Sequence, residues 1–600
     1  MTEPKYDADK LKHNLGELEN LTIRLVKAIS ARRETDPALQ GPGVDLYAKA
    51  AAAYYAEMMS RPEKMIEQQV HFWARSLENF SKAREMAMDQ LENSEKPGLS
   101  AESAPRPVDK RFKNPLWDAN PYFNFVREQY LLSSETIQQT VEGLNEIDPN
   151  EKQRVQFFAR QLVDMFAPSN FFGTNPDALE KAIETNGQSL VDGLANLVRD
   201  LEANKGELSI TLSDPNAFKV GENLATTRGS VVFRNRMFEL VQYTPTTSEV
   251  HKTPLVIFPP WINKFYILDL KEKNSFIKYA VDQGFTVFIV SWVNPDATYR
   301  DVGIETYVKE GALAAIEAVL EITDSRRVNA IGYCIGGTLL TIALAHMAKN
   351  KDDRVKSATY FTTLTDFEEA GELGVFIDEE FLSAIEREVD ARGYLDSFFM
   401  SRTFSFLRAN DLVYAPAVRS YMMGEAPPAF DLLYWNGDST NLPALMAKEY
   451  LRKLYSANDL IHDRFRIDGR KVKMADIKTP ICAIACEADH IAPWKSSFRG
   501  LSHLSGEKKF ILAESGHIAG VVNPPAANKY GYWLNPESCE NPDEWQAKAD
   551  HHPGSWWPVW AQWLSEHSGK KVEARQPGSE KYPVLCPAPG TYVAVKAGKK

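Results

Sequence analysis

Cysteine is scarce in this chain: five residues among 600. So few cannot build a disulfide framework, which fits a reducing cytoplasm. Positive charge is also short, with Asp and Glu outnumbering Lys and Arg by 81 to 69, a net charge of -12. A nucleic-acid partner needs a concentrated basic surface, so that class is set aside, and the terminal "VKAGKK" reads as a solvated end. Long apolar runs are missing, so no membrane span is expected. The opening "MTEPKYDADK" has no apolar core of a secretory signal. There is no Gly-x-x-x-x-Gly-Lys-[Ser/Thr] loop, no Gly-x-Gly-x-x-Gly and no His-Glu-x-x-His. His551-His552 has no second ligand pair at zinc spacing. No metal and no cofactor are expected.

What is present falls into two styles. From about Leu11 to Leu91, segments such as "ELENLTIRLVKAI" carry apolar residues three and four apart, the spacing of amphipathic helices. "NSEKPGLSAESAPRPVD" has linker composition, and from Phe112 to about Leu224 the pattern is helical again. From Pro254 onward, short β-branched and aromatic runs alternate with helical segments: "PLVIF", "FTVFIVSW", "RVNAI", "ATYFTT", "TPICAIAC" and "KKFILA". That alternation predicts a parallel sheet covered on both faces. The expected division is a variable helical region at 1–95, a linker at 96–111, a helical domain at 112–224 and an α/β domain at 225–600. More than a hundred residues separate "ATYFTT" from "TPICAIAC", too many for a plain crossover, so a cap is expected at about 365–440.

The chemistry starts at "VNAIGYCIGGTLL", Val328 to Leu340. Gly332-Tyr333-Cys334-Ile335-Gly336 has the form Gly-x-nucleophile-x-Gly, with a strand before it and a helix after it. Such a turn holds the nucleophile in a strained conformation, and side chains at the flanking positions would collide with backbone. The helix N-terminus stabilises a thiolate, and the Ile335 amide would form half of an oxyanion hole. The bland alternative, a cysteine filling a strand end, is poorly served by a glycine on each side.

In the order nucleophile, acid, histidine, each partner should follow a later strand. "TPICAIAC" leads to Asp489 and "KKFILA" to His517, which makes Cys334, Asp489 and His517 the candidate triad. His490 would point away from the acid, and His503 lies in a loop with no strand before it. Cys482 and Cys486 stand at strand parity and read as core rather than as a redox pair.

With those residues placed, the chain resembles the polyhydroxyalkanoate synthases, or poly(3-hydroxyalkanoate) polymerases, of the long single-subunit kind (class I). The resemblance rests on "APSNFFGTNPDAL", "PPWINKFYILDL", "GYCIGGTLL", "FDLLYWNGDSTNLP", "DHIAPW", "SGHIAGVVNPP" and "PGSWWPVW", and spans Phe112 to the C-terminus. It implies an α/β-hydrolase fold with an inserted cap behind a mostly helical N-terminal region. It implies growth of a polyester from (R)-3-hydroxyacyl-CoA, with 3-hydroxybutyryl-CoA the default and CoA released. It implies a dimeric enzyme at the surface of the polymer granule, which agrees with the cytoplasmic placement expected from composition. Separately, the Met- and aromatic-bearing amphipathic pattern of Leu11–Leu91 suits recruitment of granule or phasin-like partners, and a packed helical domain is the commoner explanation of such a pattern. The family's triad falls on Cys334, Asp489 and His517. Asn263 falls at the second oxyanion or substrate-positioning contact, and Arg408 and Trp435 in the cap region that meets CoA and the partner subunit. A packed core role for Trp435 stands beside that one. The chain departs from the family at Trp261, at Val293 and over Tyr414–Val418.

Two other readings remain. A thioesterase or another cysteine-nucleophile hydrolase could use the same elbow, but need not carry "INKFYILDL" or "SGHIAGVVNPP". A granule-coating structural protein need not keep an intact triad.

Overall fold

The runs expected as strands all pair into one sheet in the structure, a computed structural model that describes residues 8–31, 52, 62–92, 109–144, 147–537 and 539–597. In chain order the strands are β1 (Gly229–Arg234), β2 (Phe238–Tyr243), β3 (Leu255–Phe258), β4 (Val287–Trp292), β5 (Val328–Tyr333) and β6 (Val355–Phe361). They continue as β7 (Ile481–Cys486), β8 (Lys508–Ala513), β9 (Gly531–Leu534), β10 (Asp550–Pro553) and β11 (Cys586–Pro587). Across the sheet the order is β10-β9-β8-β7-β6-β5-β3-β4-β2-β1-β11. The run from β4 to β8 is parallel at every step. Every residue of β3, β4, β5 and β7 is buried, as a sheet covered on both faces requires.

The margins are antiparallel and were not anticipated from the sequence. β1, β2 and β11 extend one side, and β9 and β10 the other. The β1–β2 turn is built by Asn235, whose Oδ1 accepts from the amides of Met237 and Phe238 at 2.8 and 3.0 Å. This asparagine supplies turn chemistry without a glycine.

The chain forms two units, one from Met1–Leu212 with Phe404–Pro428 and one from Ser213–Thr403 with Ala429–Lys600. The first is helical. Asn120 caps the helix Pro121–Glu142 by accepting from the Tyr122 and Phe123 amides, with proline at the first helical position. Asn175, in "APSNFFGTNPDAL", caps Pro176–Glu184 in the same way. Helix Ala8–Ser30 packs Leu21 against Val191 and Val198 of helix Gln188–Ala203. The buried Asp200 carboxylate accepts from Tyr421 Oη at 2.8 Å, and Asn196 Nδ2 donates to the Ser420 carbonyl at 3.0 Å. Those contacts explain why Phe404–Pro428 groups with residues so distant in sequence. The departure over Tyr414–Val418 lies in that segment. The linker expected at 96–111 falls almost entirely outside the described residues, as does much of 1–95.

In the second unit the insertion between β6 and β7 runs over residues 362–480, longer than the expected 365–440, with its 404–428 portion assigned to the first unit. The core here is aromatic. "PGSWWPVW" supplies Trp556, Trp557 and Trp560, all fully buried around Phe276. Each indole N–H has an acceptor: the Gly520 carbonyl at 2.8 Å, the Val521 carbonyl at 2.9 Å and Thr359 Oγ1 at 3.1 Å. Gly520 and Val521 belong to the loop that carries His517, so this motif is the buttress of a site residue. Replacing Trp560 by Ala is expected to cost about 3–5 kcal/mol of stability through the cavity it leaves. Trp556→Phe, which keeps a ring and loses the bond to Gly520, is expected to cost about 1 kcal/mol. Urea denaturation of the two variants measures both.

Candidate active site

The elbow follows from close approach. A Cβ on Gly336 would lie 2.1 Å from the Phe258 carbonyl oxygen at the end of β3, and one on Gly332 would lie 2.4 Å from the Gly337 Cα. Neither contact can be accommodated. Between them Cys334 sits at φ 53, ψ -122, in a region that costs a non-glycine residue energy and that only its surroundings can maintain. Its amide donates to the Phe361 carbonyl at 2.8 Å, and the Gly337 amide donates back to the Cys334 carbonyl at 2.9 Å. Helix Ile335–Lys349 begins at the next residue, so its positive end and its unpaired first amides face the half-buried thiol.

Asp489 lies in the turn after β7. Its Oδ1 accepts from the amides of Ile491 and Ala492, both at 2.9 Å, which leaves Oδ2 for His517. His517 Nδ1 donates to that oxygen at 2.7 Å, with both side chains nearly closed to solvent. The Cys334 side chain lies close enough to the imidazole to act on its charge. The structure thus brings together the three residues placed on sequence order alone. Burial by itself would lower the His517 pKa. The Asp489 carboxylate and Cys334 outweigh that and raise it to about 10.

A further group was not foreseen. Tyr333 Oη donates to the His517 carbonyl at 3.3 Å, with the two rings 5.9 Å apart, so the residue before the nucleophile also holds the histidine. A buried tyrosine beside an elbow has no distinctive sequence signature.

The other expected residues have different placements. Ile335 occupies the first helical position, where its amide has no intrahelical acceptor. Asn263 is half-buried and its amide donates to the Trp435 and Asn436 carbonyls and to Ser439 Oγ, at 3.3–3.4 Å. Trp435 is buried and gives its indole N–H to the Lys264 carbonyl at 2.7 Å. Thr440 bonds the backbone of Trp261 and Ile262. Residues 435–440 therefore form a strap fastened to the segment after β3. Arg408 lies in the other unit, exposed and paired with Asp411. Trp261 is buried among Trp292 and Tyr307. His503 ends the helix Trp494–Ser502 on the surface. Cys482 and Cys486 lie buried in β7, where burial pushes the Cys482 thiol up to about 12.

The strap's anchor is an ion pair closed to water. Lys264 Nζ lies 2.8 Å from Asp438 Oδ1, with side chains only 4% and 9% exposed, and Tyr266 Oη donates to Asp438 Oδ2 at 2.9 Å. Burial lowers the Lys264 pKa, and Asp438 offsets that in part.

Comparison with known proteins agrees with the fold. Residues 108–280 match the family described as Poly-beta-hydroxybutyrate polymerase (PhaC) N-terminus, and residues 253–524 match the alpha/beta hydrolase fold. A Poly(3-hydroxyalkanoate) polymerase of Methylorubrum extorquens is 45% identical over 494 residues, 82% of each chain. The chain belongs to the poly(3-hydroxyalkanoate) polymerase family. The Poly(3-hydroxyalkanoate) polymerase subunit PhaC of Cupriavidus necator is 40% identical over 82% of this chain and 83% of its own. A monoacylglycerol lipase of Paleococcus ferrophilus aligns with 55% of this chain and 99% of its own, at 14% identity and a TM-score of 0.31. With the family in place, the mixed sheet, elbow and inserted segment read as an α/β-hydrolase fold adapted by this polymerase family.

Two outcomes follow from the charges. The folded pKa of His517 is raised above its unfolded value. The stability this contributes is therefore complete below about pH 6.5 and is lost as pH rises through about 10. The stability gap between the native protein and Asp489→Asn should be widest below pH 6.5 and narrow toward pH 10 in urea titrations. At the strap, Asp438→Leu leaves Lys264 unpaired and should cost about 3–5 kcal/mol, most of which Lys264→Met in the same chain recovers. A double-mutant cycle in urea measures the coupling.

Proposed function

We propose that the protein polymerises (R)-3-hydroxyacyl-CoA into polyhydroxyalkanoate, through an acyl group carried on Cys334. The observation that carries this reading is a strained cysteine, at φ 53, electrostatically coupled to a histidine that is itself held by a buried carboxylate. In the proposed cycle the proton shared by Cys334 and His517 rests on the imidazole, and the sulfur attacks the thioester carbonyl. The C–S bond to CoA breaks, and the CoA sulfur leaves with the proton held by His517. The Ile335 amide, at the helix N-terminus, faces the developing oxyanion. A thioester has been exchanged for a thioester, so the acyl group keeps its activation. The hydroxyl of a second hydroxyacyl unit then gives its proton to His517 and attacks that carbonyl. The ester forms and the Cys334 thiol is regenerated.

Cysteine suits this chemistry because the substrate and the intermediate have the same functional group. The acceptor must be a hydroxyl and not water, which calls for a dry site. Short-chain substrates, with 3-hydroxybutyryl-CoA first among them, and a dimer acting at the granule surface are part of the reading through the family. No helix among the described residues is long and apolar enough to cross a membrane.

Purified protein given (R)-3-hydroxybutyryl-CoA should release CoA, read with a thiol reagent, and deposit insoluble polyester. Cys334→Ala should do neither. Release of CoA with only free 3-hydroxybutyrate would make water the acceptor and replace the polymerase by a thioesterase. A protein that takes no hydroxyacyl thioester, with a Cys334 inert to alkylation, would favour a structural granule protein.

A further inference from the structure

Two buried tyrosines lie within electrostatic reach of the thiol and have no part in the triad. Tyr450 and Tyr455 open and nearly close a π-helix, Tyr450–Ser456. Five residues apart, they would point to different sides of an α-helix. The wider π turn puts them on one face. Their hydroxyls meet at 3.4 Å, and their rings pack edge to face at 5.1 Å. Both side chains are buried, at 7% and 9% exposure.

The fold ties this pair to the elbow. The Cys334 amide bonds the Phe361 carbonyl, and Thr338 Oγ1, one turn into the elbow helix, bonds the Leu364 carbonyl at 2.7 Å. Three residues on, the Phe367 ring packs against Tyr455 at 5.0 Å. Both hydroxyls also feel Cys334 electrostatically, and Tyr455 feels Asp489 as well. Burial, the first cause, together with these neighbours holds both phenols well above their ordinary pKa, so each keeps its proton and can donate.

Two hydroxyls carry two protons, and one hydrogen bond between them uses one. Tyr450 donates to Tyr455, and no acceptor for the Tyr455 proton is found among the described residues. A buried donor without a protein acceptor is expensive, and in native proteins water or a ligand takes it. The acyl unit of the substrate has two polar features. The carbonyl oxygen is served by the helix N-terminus, which leaves the oxygen at carbon 3. That oxygen accepts a hydrogen bond both as the free hydroxyl of an incoming unit and as an ester oxygen of the chain, so an obligate donor fits both states.

We propose that the Tyr450–Tyr455 pair is a substrate-positioning donor that binds the 3-oxygen of the hydroxyacyl group beside Cys334, and so selects hydroxyacyl over plain acyl thioesters. This rests on the polymerase reading above. The test compares the burst of CoA released on acylation of Cys334 by (R)-3-hydroxybutyryl-CoA and by butyryl-CoA. It uses the native protein, Tyr455→Phe, Tyr450→Phe and the double variant, with thermal melts as a check on folding. The native protein should prefer the hydroxy substrate. Tyr455→Phe should lower its acylation by about 10–100-fold, the loss of one buried hydrogen bond, and leave butyryl-CoA unchanged. Tyr450→Phe, which spares the free proton, should keep the preference, and the double variant should abolish it. An equal fall with both substrates, or an unchanged preference in Tyr455→Phe, overturns the assignment and leaves the polymerase intact. Should the double variant fail to fold, Tyr455→Phe alone decides. A native protein that releases CoA from neither substrate overturns the polymerase reading and this proposal together.

Discussion

Cys334 can occupy its strained backbone only because the chain on either side of it is packed without room for side chains. Gly332 lies against the first turn of the following helix, and Gly336 against the carbonyl that ends β3. Those approaches press the helix onto the central strands, and the turn between them has nowhere else to go. The strain is maintained by burial: β3 and β5 are wholly buried and the helix is buried along most of its length. Helix direction, thiol orientation and the position of the Ile335 amide all depend on that one constraint.

The histidine is supported separately. Its carboxylate partner is oriented by two backbone amides, its carbonyl by Tyr333 and its loop by the indoles of Trp556 and Trp557. The residue is therefore held from three directions, and its raised pKa follows from the Asp489 carboxylate and Cys334 outweighing the effect of its burial. Buried charge would be unstable there without such pairing. The same reasoning applies to Lys264 and Asp438, where a closed ion pair with a tyrosine fastens the strap and so defines one wall of the segment after β3.

The inserted segment between β6 and β7 contributes to both units. Its 404–428 portion joins the helical unit through Asp200, Asn196 and Tyr421, while the strap and the paired tyrosines belong with the triad. A π-helix in place of an α-helix is what aligns Tyr450 with Tyr455. Such distortions recur at functional sites because they reorient side chains that regular spacing would separate.

Much of this could be read without coordinates. Alternating runs foretold the parallel strands because strands buried on both faces must be continuously apolar. Glycine on both sides of Cys334 foretold the elbow because only glycine permits such approach, and strand order then pointed to Asp489 and His517. Other features are long-range and left no local mark. The antiparallel margins, the engagement of Asn263 with the strap, the placement of Arg408 in the other unit, the pairing of Lys264 with Asp438 and the contact of Tyr333 with His517 join residues far apart in the chain. Local pattern determined which residues could do chemistry. Tertiary packing decided which polar groups lost their water, and therefore which of them had to find one another.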